Sequence, residues 1–154
     1  MKSSQIEIKR LGPSDVALAQ KLFWLMQQVF KVENPDTITE AYVVKILANT
    51  TFVVFAALYN SEPVGGITGD ELPMYNAETA EMYIYDIAIK PEFQRMGIGK
   101  KLIAAAKRHC SKNNIKTLYV QADAEDKHAL DFYRSTGASE SKVVHFTYNI
   151  APGK

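Results

Sequence analysis

Hydrophobic and polar positions along the 154-residue chain change period several times, and each change marks an element. Ile6 and Ile8 alternate with Glu7 and Lys9, which predicts a first strand over residues 6–11. Gly12-Pro13-Ser14-Asp15 then opens a helix, with Pro13 in its first turn and Asp15 favourable to the helix dipole. Leu18, Leu22, Leu25 and Val29 recur at helical spacing, and Phe23, Met26 and Phe30 widen the stripe. Such a helix is mostly buried, its aromatics belonging to the core. Asn34-Pro35-Asp36 ends it, and Thr37-x-x-Glu40 forms a capping box ahead of a shorter helix carrying Ala41, Val44 and Leu47. Residues 51–58 are β-branched and aromatic, Asn60-Ser61-Glu62-Pro63 turns the chain, and residues 64–72 return as the second arm of a hairpin. Gly65-Gly66 thins that arm and predicts close approach by another backbone or a ligand.

A long strand follows from Glu81 to Ile89, closed by Lys90-Pro91. After the loop 92–97 comes a helix with Ile98, Leu102, Ile103, Ala106 and Cys110 on one face, then a buried-looking strand from Thr117 to Ala122. Strand, helix, strand in this order implies a right-handed crossover and parallel pairing. Residues 126–135 read as a short helix capped by Gly137, and Lys142 to Ile150 alternates as a final strand.

Composition narrows the class. With 47% hydrophobic residues, residues 1–154 are expected to form a single α/β domain with a sizeable core. The 18 Lys and Arg against 17 Asp and Glu argue against a uniformly basic nucleic-acid binder. No apolar run approaches the roughly 18 residues that suggest a membrane span, and the first ten residues lack the apolar stretch of a secretory signal. Cys110 is alone, so neither an internal disulfide nor a thiolate metal cluster is expected, which suits a cytoplasmic protein. The three His lack ligand spacing, so no metal site is expected; His109 and His128 are expected to be exposed, and His145 to pack.

The near-zero net charge conceals a division. Residues 46–89 hold six acids and no Lys or Arg, whereas residues 90–116 hold eight bases and one acid, Glu92. Within the basic block, Gln94-Arg95-Met96-Gly97-Ile98-Gly99 joins a strand to a helix. The first N–H groups of a helix have no internal partner, and glycine lets a ligand approach, so the junction suits a phosphate. It matches neither a Walker A loop nor a Rossmann fingerprint, and a plain helix start needing small residues is the alternative. Arg95, Lys100 and Lys101 cluster there, where they could pair with phosphates, while Lys107, Arg108 and Lys112 read as a solvated face. The two blocks suggest an anionic cofactor and a cationic substrate.

The stretch Ile87-Ala88-Ile89-Lys90-Pro91-Glu92-Phe93-Gln94-Arg95-Met96-Gly97-Ile98-Gly99, with a later helix holding Ala129, Phe132, Tyr133 and Gly137, resembles the GCN5-related N-acetyltransferases. The element order β-α-α-β-β-β-α-β-α-β fits that fold. Tyr83-Ile84-Tyr85-Asp86, Tyr119-Val120-Gln121-Ala122-Asp123 and His145-Phe146 resemble the type I aminoglycoside 3-N-acetyltransferases. This resemblance implies acetyl-CoA as donor, its pantetheine lying between two strands that splay apart near Ile87, Ala88 and Ile89. The N–H groups of Gln94, Arg95, Met96, Gly97, Ile98, Gly99 and Lys100 are then expected to hold the pyrophosphate, and Ala129 to meet the cofactor. Near the start of that later helix the family often has Asn, where this chain has Glu125-Asp126-Lys127.

Acetylating an amine requires a carboxylate to accept its proton, an oxyanion stabiliser and a proton for the leaving thiolate. Asp86, an acid inside an apolar strand, is the expected base; the alternative is an Asp fixed by backbone N–H groups at a bulge. Strict alternation places it on the face of Met82 and Ile84, unless a bulge intervenes. Glu81 and Asp123 are substitutes for the base and, with Tyr83, further expected acceptor contacts, although a solvated or capping acid is the leading description of Glu81 and Asp123. Tyr133 matches the family's thiolate-protonating position, and core packing is its alternative. The acceptor expected from resemblance is an aminoglycoside; a polyamine, a peptide amine, or a non-catalytic acyl-CoA sensor remain open. No nucleic-acid or membrane partner is expected, and edge strands of this fold allow a homodimer.

Overall fold

The computed structural model describes residues 5–153 as two compact units, one through Gln121 and one from Ala122. The first contains β1 (Glu7–Arg10), α1 (Val16–Val29), α2 (Glu40–Ala48), β2 (Phe52–Tyr59), β3 (Glu62–Pro73), β4 (Ala80–Ile89), α3 (Ile98–Lys112) and β5 (Thr117–Val120). One sheet runs in the order β1-β2-β3-β4-β5, antiparallel except for the parallel pair β4–β5. The parallel pair is the one joined through α3, as the strand-helix-strand pattern requires.

Register explains which side chains share a face. Phe52, Val54 and Ala56 of β2 stand opposite Asp70, Thr68 and Gly66 of β3. These stand opposite Tyr83, Asp86 and Ala88 of β4. Directly paired residues project to the same side of a sheet, and Val54, Ala56 and Ala88 belong to the core formed with Leu22, Leu25 and Met26 of α1 and Val43 and Leu47 of α2. On the other side, Phe55 meets the His109 ring of α3 edge-on, and Cys110 Sγ lies 3.7 Å from Met82 Sδ. The helix stripe Ile98, Leu102, Ile103, Ala106 and Cys110 is buried as its spacing predicts.

The close approach expected at Gly65-Gly66 is made by protein atoms. A Cβ on Gly66 would lie 2.6 Å from Leu22 Cδ1, and one on Gly65 would lie 2.8 Å from the Ala88 carbonyl oxygen. Leu22, fully buried, seats α1 on the sheet here, and truncating it to Ala costs about 2–5 kcal/mol. The β2–β3 turn uses Asn60 and Ser61, both left-handed (φ 49° and 65°), the backbone that matches strand twist in a two-residue hairpin.

Three local expectations shift. Helix α1 begins at Val16, so Pro13 precedes it, and Asp15 accepts from the Gly12 N–H at 2.8 Å. The α2 cap is Thr39, whose hydroxyl accepts from the Tyr42 N–H at 3.2 Å; a Thr directly before the first helical residue reaches that donor, and Thr37 stands two residues too early. Phe30 is exposed because α1 ends at Val29.

The second unit carries α4 (Lys127–Ser135). Asp126 caps it by accepting from the Ala129 N–H at 3.0 Å, and Gly137 takes φ 89° just beyond its end. The expected strand 142–150 is not formed: these residues have no assigned secondary structure and are exposed. Alternation alone does not make a strand, since the ladder needs a neighbouring backbone. The remainder of the expected order, and the mixed α/β class, are as observed.

Candidate functional site

β4 carries the site because its regular pairing is interrupted where the chemistry is expected. Thr68 pairs with Asp86 but Gly69 pairs with Ile84, so Tyr85 is an extra, bulged residue, 67% exposed. One inserted residue inverts the alternation beyond it. Asp86 therefore joins Tyr83 and Ala88 on the α1 face and does not share the face of Met82 and Ile84, which corrects the strict-alternation reading.

The α1 face is layered. Leu22 covers Gly66, and Ala88 stands opposite it in the core. Beyond lie Thr68 with Asp86, and then the row Phe52, Asp70, Tyr83, Tyr119 across four strands. In this outer part Asp70, Tyr83, Asp86 and Tyr119 are only partly buried. Tyr83 packs on Tyr119 with ring centroids 5.1 Å apart and meets Tyr85 at 6.1 Å, while its hydroxyl donates to Gln121 Oε1 at 3.2 Å. Among the described residues neither the Asp70 nor the Asp86 carboxylate makes a side-chain hydrogen bond or ion pair. Burial pushes both carboxyl groups above the usual Asp range. Burial also raises the Tyr83 phenol, with further contributions from Tyr85, Tyr119 and Asp86. Glu81 stands one row further out, opposite Leu72.

Asp70 was not singled out in the sequence because β3 looks like a plain hairpin arm. Its signal lies in the register: it is paired with Phe52 on one side and Tyr83 on the other, and it stands two residues along β3 from Thr68, the partner of Asp86, on the same face. The same row reaches α1 through Phe52, whose ring meets Phe23 at 6.4 Å. Phe23 lines a cavity of about 260 Å³ with Trp24, Ile38, Val43 and Gln27, whose buried Oε1 has no hydrogen-bond partner.

The donor side also follows from β4. Its pairing with β5 ends at Ile84 and Val120, so residues 85–89 continue with β3 on one side and, among the described residues, no strand on the other. A single 3₁₀ turn, Pro91–Phe93, leads to the loop, and Gln94 Nε2 donates to the Ile89 carbonyl at 3.0 Å, tying loop to strand end. Arg95 (φ 60°) and Gly97 (φ 78°) turn the chain through the left-handed region into α3. Nothing lies within 4 Å of a Cβ built on Gly97, so glycine serves the backbone angle there. The first N–H bonded back into the helix belongs to Lys101, to Gly97 O at 3.1 Å, leaving those of Ile98, Gly99 and Lys100 available at the positive end of the dipole. Arg95 and Lys100 are exposed beside them. Free donors, a tight turn and loose cations fit a pyrophosphate, and an unpaired strand edge fits an amide-bearing arm.

His109 departs from its expected exposure. Its Nε2 lies 2.5 Å from Glu71 Oε1 and its Nδ1 lies 3.2 Å from Arg10 Nη1, with the side chain 14% exposed. This cluster lies on the α3 face, away from Asp86.

In the second unit Asp123 Oδ1 accepts from the Glu125 N–H at 2.9 Å, the turn-capping role. Tyr133 lies on α4 with its ring 5.1 Å from Phe132, and Ala129 donates its N–H to the Asp126 cap. His128 is exposed. No helix among the described residues is long and apolar enough to cross a membrane.

Comparison with known proteins agrees with this geometry. An aminoglycoside acetyltransferase, meta-AAC0020, from an uncultured soil metagenomic sample superposes with a TM-score of 0.93 at 38% identity, over 97% of this chain and 99% of that one; it was crystallised with trehalose. The same enzyme in complex with sisomicin matches equally well over 96% and 98%. The uncharacterized N-acetyltransferase YhfO of Bacillus subtilis is 25% identical over 94% of this chain and 98% of its own. N-alpha-acetyltransferase 60 of Xenopus tropicalis is 27% identical over 79% of this chain, which spans 55% of that relative's length. The model of the acetyltransferase (GNAT) family, whose donor is acetyl-CoA, matches residues 19–138, and the chain belongs to that family.

Proposed function

We propose that the protein transfers the acetyl group of acetyl-CoA to a primary amine of an aminoglycoside. The observation that carries this reading is the pair of partly buried, unpartnered carboxylates, Asp70 of β3 and Asp86 of β4, beside the Tyr83–Tyr119 stack and at the start of the stretch of β4 that runs beyond its pairing with β5. An acid that costs desolvation and gains no partner is spared for something cationic. The 38% identity to meta-AAC0020 supports the same acceptor class.

Acetyl-CoA supplies an activated thioester carbonyl. The residues that would hold it are the backbone groups of Ile87, Ala88 and Ile89 for the pantetheine, the N–H groups from Gln94 to Lys100 with Arg95 for the pyrophosphate, and Ala129. Asp86 holds the acceptor ammonium and takes its proton, directly or through water, leaving a neutral nucleophile. A backbone N–H of β4 facing the open edge stabilises negative charge developing on the acetyl oxygen. Asp70, Tyr83, Glu81 and Asp123 hold the other ammonium and hydroxyl groups of the acceptor. The Trp24 cavity, whose Phe23 packs edge-on against Phe52 of the Asp70 row, receives a further ring, its orphan Gln27 Oε1 accepting from a hydroxyl or ammonium. Tyr133 gives a proton to the leaving thiolate; an unperturbed phenol, with a pKa of roughly 10, does so without prior activation.

CoA release measured with gentamicin-like and kanamycin-like aminoglycosides, spermidine and N-terminal peptides tests the reading. Turnover with aminoglycosides is expected, and NMR of the product tests the 3-amine that resemblance implies. Turnover with peptides alone would replace the acceptor class, and acetyl-CoA binding without turnover on any amine would make the protein a sensor.

A further inference from the structure

The residue extruded from β4 contributes little to the fold. Tyr85 sits in mid-strand yet is largely exposed, whereas Ile84 before it is buried, and its hydroxyl makes no hydrogen bond among the described residues. Register leaves it without a partner on β3, because Thr68 pairs with Asp86 and Gly69 with Ile84, and pairing with β5 stops at Ile84. A bulge disrupts the ladder, and a large ring left in water returns none of that cost. Bulges next to active sites re-aim a side chain, which directs attention to where this ring points.

Tyr85 meets the Tyr83 ring nearly at right angles, at 83° with centroids 6.1 Å apart, so it stands on the face that carries Tyr83 and Asp86. Two consecutive side chains, Tyr85 and Asp86, therefore serve one face, which an unbroken strand does not allow. Tyr83 is committed to Tyr119 and Gln121, while the Tyr85 ring meets no other aromatic ring among the described residues. We propose that the acceptor's amine-bearing ring stacks on Tyr85 while Asp86 holds the amine, so that Tyr85 selects amines borne on saturated rings over acyclic polyamines. This rests on the assignment of the acceptor to the Asp86 face. The negative face of a phenol ring attracts C–H bonds polarised by neighbouring ammonium groups, and the ammonium itself within about 6 Å. Asp70 and Asp86 read only charge, which spermidine also offers; a flat wall beside them reads the shape that spermidine lacks.

Steady-state kinetics of the wild type, Tyr85→Leu and Tyr85→Phe test this, with the best aminoglycoside as acceptor and spermidine as its competitor. Far-UV circular dichroism of both variants should match the wild type, since the side chain is exposed. Tyr85→Leu, which keeps an apolar side chain and loses the ring face, should raise KM for the aminoglycoside about 3–30-fold with kcat nearly unchanged. The inhibition constant of spermidine and the affinity for acetyl-CoA, read by calorimetry, should stay within about twofold. Tyr85→Phe should keep the wild-type KM. A wild-type KM in Tyr85→Leu would mean that the ring does not touch the acceptor. An equal loss in Tyr85→Phe would assign the contact to the hydroxyl, and an equal loss for spermidine would leave no selection by ring shape. Each of these three results overturns the proposal. A wild type that acetylates no aminoglycoside would instead refute the acceptor assignment itself, and the proposal with it, before any Tyr85 variant is compared.

Discussion

Asp70 and Glu71 are neighbours on β3, point to opposite faces of the sheet and have opposite circumstances. Glu71 meets His109, which is joined in turn by Arg10, whose guanidinium lies 5.7 Å over the Phe55 ring. Every charge in that cluster has a counterpart. Asp70, one residue earlier, faces Tyr83 and the bulge that carries Asp86, and among the described residues neither acid has a side-chain partner. A paired acid is part of the fold, whereas an unpaired and partly buried one weakens the fold and is retained for a ligand. Telling these roles apart requires the partners, since both acids belong to the same acidic block of the sequence.

The largest effect that would break this comparison is at Asp86. Asp86→Asn removes the base and should lower kcat/KM for the best acceptor by about 10²–10⁴-fold. It should also raise stability at neutral pH. The folded-state pKa of Asp86 lies above its unfolded value, so the folded chain binds the proton more tightly and stability falls as pH rises through the folded pKa. The gain from Asn is therefore present above that pKa and vanishes below the unfolded value, which thermal unfolding of both proteins across pH 3 to 8 will show. Glu71→Gln and His109→Ala are the opposite case: either should cost about 1–3 kcal/mol by leaving half-buried partners unsatisfied, with kcat unchanged. If Glu71→Gln lost turnover and kept stability, the division between the faces would fail.

Smaller effects sharpen the same contrast. Asp70→Asn should raise KM for a polycationic acceptor about 10-fold with little change in kcat, as expected for an acid that holds cations without moving the proton. Trp24 is the only tryptophan, so its fluorescence reports the adjoining cavity. Trp24→Ala should raise KM several-fold for multi-ring acceptors and leave single-ring amines unaffected. Tyr133→Phe should slow turnover while acetyl-CoA affinity, measured by calorimetry, stays within about twofold; wild-type turnover would end its assignment. Gly97→Ala, forced to φ 78°, carries about 1 kcal/mol of strain and should weaken acetyl-CoA binding by up to tenfold.

Much of the fold was legible because it rests on local periodicity. The α3 stripe from Ile98 to Cys110 and the β2–β3 hairpin are written in the spacing of apolar residues and in Asn60-Ser61. The left-handed turn into α3 that is proposed to hold the phosphates was legible too, since Gly97 and the bases beside it lie within one short stretch. Two things were not. The face on which Asp86 stands depends on a bulge, and nothing in Tyr83-Ile84-Tyr85-Asp86 announces which residue will be extruded. Asp70 and the Phe52 row exist only through strand register, which joins residues 18 and 13 positions apart in the chain. The tail shows the converse: residues 142–150 alternate as a strand should, yet a strand also needs an edge, and sequence pattern does not supply one.

The central claim is that Asp86 is an unpartnered carboxylate serving as the base. The pH dependence of kcat/KM in wild type and Asp86→Asn, with the preferred aminoglycoside and saturating acetyl-CoA, tests it most directly. Wild-type activity should fall on the acid side through a carboxylate pKa above the usual Asp range, and Asp86→Asn, folded and at least as stable at neutral pH, should lose both that limb and at least 10²-fold in rate. A variant that keeps the wild-type rate and the wild-type acid limb would contradict the account.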